Sequence, residues 1–123
     1  MRVITEPIER EALRRVVEAF YLAGREDSLL GPVFAGHIQD WEPHMERMTD
    51  FWASLVIRES TYSGHVFRMH RAIPGLTGAM FDRWVEIFSA AARAQFGEGP
   101  TAELLIDLAR RMGVQLQRIT AAK

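Results

Sequence analysis

A chain of 123 residues, nearly half of them apolar and a quarter charged, suits one domain spanning 1–123 around one core and excludes a disordered or fibrous protein. Its 15 basic and 16 acidic residues are scattered to a net charge of −1, so no field draws in nucleic acid or an anionic membrane. The lack of cysteine removes disulfides, thiolate metal sites, cysteine nucleophiles and thioether-anchored cofactors. With no apolar run of signal or membrane-spanning length, the expected compartment is the cytoplasm.

From Ile8 the apolar residues Ile8, Ala12, Leu13, Val16, Val17, Phe20 and Tyr21 recur at helical spacing, with Thr5 and Pro7 as the start signal. Gly24 and the polar run to Ser28 are expected to loosen or end this helix, and 29–34 allows only a brief one around Gly31-Pro32. A second long helix runs from Trp41 to about Ile57, with Asp40 at the N-cap and Pro43 in the first turn. His44, Met48, Phe51 and Leu55 form one stripe on it, and Trp41, Met45, Trp52 and Val56 widen that stripe as if to pack against something bulky.

Residues 59–64 read as a turn, and 65–71 as two helical turns stopped by Pro74-Gly75. Thr77 then caps a third long helix with Phe81, Trp84, Val85, Phe88 and Ala92 on one face, ending near Gly97. Thr101 opens the last, with a stripe of Leu104, Leu105, Leu108, Met112, Leu116 and Ile119. No stretch alternates with period two and no repeat is present, so the fold class is all-α, with four long helices and two short ones.

Four histidines and three tryptophans are the material for a site. The spacings 37 to 44, 65 to 70 and 44 to 70 match no helical zinc pattern. The acids lie mostly on polar helix faces, and there is no G-x-S-x-G, P-loop or dinucleotide fingerprint, so no catalytic residue is assigned. What remains is Tyr21, His44, His70 and Trp84, each on or beside an apolar helical face. Taken singly, each also reads as a core residue.

Several separated segments, in order, carry a resemblance. They are Phe20-Tyr21 followed by Arg25, Asp27, Leu30, Gly31, Pro32 and Phe34; Trp41-Glu42-Pro43-His44 followed by Phe51-Trp52; and His70-Arg71-Ala72-Ile73-Pro74 followed by Leu76-Thr77 and Phe81-Asp82-Arg83-Trp84. Over nearly its whole length the chain resembles the third group of truncated, two-on-two haemoglobins. The resemblance implies a globin-like two-on-two helical sandwich around a non-covalent haem b. It makes His70 the proximal iron ligand, with Tyr21, His44 and Trp84 on the distal side toward a diatomic ligand such as dioxygen, nitric oxide or carbon monoxide. His44 could donate to the ligand, swing out as a gate or bind iron itself.

Phe20, Phe34, Met48, Phe51, Leu55, Met69, Ile73, Phe81 and Phe88 are candidates for apolar contact with the porphyrin, and Tyr62, Arg68 and Arg71 for its propionates. The family often has Gly-Asn-Pro after the tyrosine, where this chain has Gly64-His65-Val66 behind Tyr62-Ser63. His65 reads as a surface or propionate-side residue and His37 as a corner residue near the pocket rim. The same resemblance also permits a peroxidase-like activity, or nitric oxide dioxygenation served by a separate reductase. From another class, a haem-free helical interaction module would share the helix pattern. A monomer is the expected state.

Overall fold

The computed structural model describes residues 8–57, 70, 73 and 75–121. Five α-helices are seen among them: α1 Arg10–Glu26, α2 Gly31–His37, α3 Trp41–Val56, α4 Gly78–Phe96 and α5 Pro100–Ala121. The described residues contain no strand, as the missing period-two pattern required. None of their helices is long and apolar enough to cross a membrane.

The helices pack as two pairs. α1 lies against α3, α4 lies against α5, and α1 also packs on α4 and on the short α2, so the two pairs share one core. On α1 the buried positions Leu13, Val16, Val17, Phe20, Tyr21 and Gly24 fall at i, i+3, i+4, i+7, i+8 and i+11, one unbroken apolar face. Leu13, Val16, Leu105, Ile106 and Leu116 are almost wholly buried, each stabilising the fold by about 1.5–3 kcal/mol relative to exposure. The ion pairs between α1 and α3, Arg10 with Glu46 and Asp50 and Arg14 with Glu42 and Glu46, lie at the surface or half in it. At about 0–1 kcal/mol each they orient the pair more than they hold it.

The helix ends follow local chemistry. Thr77 Oγ1 accepts from the Met80 N–H at 3.3 Å to open α4, and Gly97, with φ +74°, closes it in the left-handed conformation that glycine adopts freely. Asp40 stands at the N-cap of α3, yet its side chain accepts no capping bond. The start signals Thr5 and Pro7 lie outside the described residues, where Glu9 is the N-cap of α1. Of the two turns expected over 65–71, only His70 is described; it is helical, and its carbonyl accepts the Ile73 N–H at 3.1 Å.

As expected, α1 ends within the run 24–28, at Glu26; Gly24 itself is helical, and its bare Cα admits the Phe34 ring, whose Cε2 would lie 2.8 Å from a Cβ at this position. One expectation is corrected. On α5 the most buried line is Ala102, Leu105, Ile106, Ala109 and Leu116, while Leu104, Leu108 and Met112 are half-buried beside it. The leucines suggested a face turned by about one residue from the true one. Two alanines on that line allow close helix approach, which a reading weighted by side-chain size overlooks. The side chain of Ile119 lies outside the description.

The corner between α1 and α2 is built on Asp27. Its Oδ2 accepts from the N–H groups of Leu29 and Leu30 at 3.0 and 2.9 Å, and its Oδ1 lies 3.2 Å from Arg83 Nε on α4. The Gly31 N–H reaches the Asp27 carbonyl at 2.8 Å, and any side chain at Gly31 would put its Cβ 2.7 Å from the Arg25 carbonyl oxygen. These contacts join Asp27, Gly31 and Arg83, three residues of the segments that carry the resemblance.

Candidate functional site

α1, α3, α4 and α5 surround a cavity of about 90 Å³ into which His70 also projects. α1 contributes Val17, Phe20 and Tyr21; α2 adds Phe34; α3 adds Met48, Phe51 and Trp52; α4 adds Trp84 and Phe88; and α5 adds Met112 and Leu116. The wall is almost wholly aromatic and aliphatic, and its polar atoms belong to Tyr21, His70 and Trp84.

The aromatic packing that shapes this wall follows from the sequence spacing. Phe20 and Tyr21 meet edge to face at 4.8 Å, Phe20 meets Phe34, Trp84 and Phe88 at 6.0–6.2 Å, and Phe88 stacks on Trp52 at 4.5 Å and on Trp84 at 6.0 Å. Each such pair adds about 0.5–1.5 kcal/mol beyond its area burial, and together they fix the ring planes. Trp84 and Phe88, one turn apart on α4, lie nearly parallel (19°), and both line the cavity.

Tyr21 is buried, with its hydroxyl oxygen 2.7 Å from His44 Nε2. Burial raises the phenol above its ordinary range, so it stays protonated at neutral pH. His44 is pushed down to about 4, by burial first and then by the positive charges of Arg47 and of a protonated His70. Two neutral groups therefore share one hydrogen bond. In one tautomer the phenol donates to Nε2; in the other Nε2–H donates to the phenol oxygen and leaves the hydroxyl proton free to point elsewhere.

A pH prediction follows for the haem-free chain. His44 titrates near 4 when folded and near 6.5 when unfolded, so between those values the unfolded chain binds more protons. The contribution is complete above pH 6.5 and is lost progressively as pH falls toward 4. Urea midpoints should drop from pH 7 to pH 5, and the drop should be smaller in His44→Gln; equal slopes in the two proteins would contradict a buried neutral His44.

The expected site residues divide as follows. Tyr21, His70, Trp84, Phe20, Phe34, Met48, Phe51 and Phe88 line the cavity. His44 stands behind Tyr21 and touches the site through the hydroxyl. Phe81 is buried but not in the lining, Ile73 is half-buried, and Leu55 is 43% exposed. His37 is exposed in the last turn of α2. Tyr62, His65, Arg68, Met69 and Arg71 lie outside the described residues. Val17, Trp52, Met112 and Leu116 also line the cavity and were not anticipated as site residues; the only signal for them was their place on the apolar faces. Among the described residues no cluster of three or more His, Cys, Asp or Glu could hold a bare metal ion.

No protein-family model matches the sequence. The chain is 28% identical over 97 residues, 76% of each protein, to "Group 3 truncated hemoglobin ctb" of Campylobacter jejuni subsp. jejuni serotype O:2. The crystal structure of group III truncated hemoglobin from Campylobacter jejuni superposes on it with a TM-score of 0.87, over 98% of this chain and 95% of that one, at 24% identity. The five described helices thus follow the truncated-haemoglobin fold.

Proposed function

We propose that this chain, homologous to the group III truncated haemoglobin of Campylobacter jejuni, binds haem b without covalent attachment and holds a diatomic gas in the aromatic pocket, with His70 as the proximal ligand. The observation that carries this reading is that one imidazole, His70, lines the same apolar cavity as the Tyr21 phenol and the Trp84 indole.

The donor set fits the group. The aromatic and aliphatic walls would hold a flat apolar macrocycle, the His70 imidazole would take its iron, and the Tyr21 phenol and Trp84 indole N–H, both able to donate, would serve a bound gas. Haem, when bound, supplies the iron that takes the gas; the rest is the work of the chain. His70 presents a ring nitrogen, and its backbone is fixed by the bond from Ile73. Tyr21 offers its hydroxyl proton to the pocket when the His44 Nε2–H occupies the phenol oxygen. Phe20, Phe51, Trp52 and Phe88 exclude water, which lowers the local dielectric and strengthens that donated bond.

Titration of the purified haem-free chain with haemin tests the reading. A Soret band should rise to one equivalent and, after dithionite, should shift on addition of carbon monoxide. A chain that leaves added haemin in its free-solution spectrum is not a haem protein.

A further inference from the structure

The Tyr21–His44 pair is backed, away from the cavity, by a second pair that the gas-binding reading does not use. The Arg25 guanidinium carbon sits 4.3 Å from the centroid of the Trp41 ring. That indole meets Tyr21 edge to face at 5.3 Å and His44 at 6.1 Å. Arg25 is four residues after Tyr21 on α1, and Trp41 is three residues before His44 on α3. The spacing makes each backing residue a same-face neighbour of the group it supports. Among the described residues Arg25 has no carboxylate partner, and its exposed guanidinium lies over the ring face.

We propose that Arg25 and Trp41 are positioning residues for the gas pocket: the guanidinium stacked on the indole clamps the start of α3 to the end of α1, holding His44 on the Tyr21 hydroxyl and keeping that side of the pocket shut. The proposal rests on the gas-binding reading for its purpose, though not for its geometry. His44 is half-buried, and Trp41 packs on it at 6.1 Å and on Phe34 of α2 at 6.3 Å, so release of the indole frees the imidazole to leave the phenol. The clamp therefore sets how often the pocket opens. Neither Arg25 nor Trp41 lines the cavity; Trp41 reaches its wall only through Tyr21 and Phe34.

The test has two arms. In the haem-free chain, carbethoxylation of His44 by diethylpyrocarbonate is followed by peptide mass spectrometry, with the exposed His37 as internal standard. Arg25→Met should raise the His44 rate relative to His37 by about two- to five-fold, the factor that an exposed cation–π contact is worth. Trp41→Leu should raise it further, Trp41→Phe less, and Arg25→Lys should return it most of the way to wild type. In the haem-loaded protein, carbon monoxide association after flash photolysis should quicken by a similar factor in Arg25→Met at unchanged haem stoichiometry. A general loosening of the fold would leave the already exposed His37 unchanged, and is told from the clamp by a lowered urea midpoint and by no return toward wild type in Arg25→Lys. Wild-type His44 reactivity in both Arg25→Met and Trp41→Leu overturns the clamp, as does an unchanged association rate in a fully loaded Arg25→Met. Failure of the wild type to take up haem sinks the gas-binding reading instead, and leaves the first arm to decide the clamp.

Discussion

His70→Ala should cost the haem-loaded protein its normal ligation, so that the Soret band of the reduced form shifts or vanishes and carbon monoxide no longer gives the wild-type adduct. His70 is the imidazole in the cavity wall. The other imidazole close enough to influence it electrostatically, His44, is engaged with Tyr21. A methyl group in place of His70 leaves an apolar pocket that can still hold porphyrin through its faces but offers iron no nitrogen from that side. The stronger form of the experiment is His70→Gly with and without free imidazole in solution. The added base should enter the space left by the side chain and restore the wild-type spectrum. An unperturbed spectrum in His70→Ala would remove His70 from the proximal role and direct attention to His44.

Tyr21→Phe is the second large effect. The phenol is buried against Phe20, Phe34 and Trp41, so phenylalanine keeps the packing and deletes one oxygen. A hydrogen bond to a group that carries charge is worth about 1.5–3 kcal/mol, and each 1.4 kcal/mol is tenfold in rate or equilibrium. Dioxygen release from the haem-loaded variant should therefore quicken by about 10- to 100-fold, read by stopped-flow displacement with carbon monoxide. Haem uptake should be unchanged, because Tyr21 supplies no iron ligand. The variant also strips His44 of its partner, leaving a half-buried ring nitrogen that must find water. Unchanged dioxygen release would mean that the hydroxyl proton is spent on His44 and that Trp84 alone donates.

Much of this was legible in the sequence, for reasons that differ between elements. Helices α1, α3 and α4 announce themselves because their apolar residues are large and regularly spaced, and Thr77 and Gly97 mark the ends of α4 by local chemistry alone. α5 was found as a helix, but its inward line was misjudged because Ala102 and Ala109 pack as tightly as leucine without weighing much in a hydrophobic stripe. The need for a glycine at 24 comes from the Phe34 ring packed against it, a contact that no propensity records.

The site shows the same division. Tyr21, His70 and Trp84 carry groups that can donate or ligate, yet taken singly each also reads as a core residue, and only the resemblance over whole segments gives them roles. Val17, Met112 and Leu116 carry no such group, and a residue that lines a cavity and one that fills a core obey the same periodicity. Leu55 shares a stripe with Met48 and Phe51, yet the turn that carries it has already passed the cavity and faces outward. The stacking of Arg25 on Trp41 crosses a corner between two helices, a relation that exists only once α2 has set the angle between α1 and α3.

The corner carboxylate has a consequence for how the pocket moves. Asp27 holds the amides of Leu29 and Leu30 with one oxygen and Arg83 with the other, and Arg83 is the immediate neighbour of Trp84. Tyr21 lies in the second half of α1, whose C-cap is Asp27. The phenol and the indole, contributed by opposite helix pairs, are thus tethered through one acidic side chain outside the cavity and should breathe in phase. On the proposed gas-binding reading the two donors then form one jaw, whose gape is set at the molecular surface.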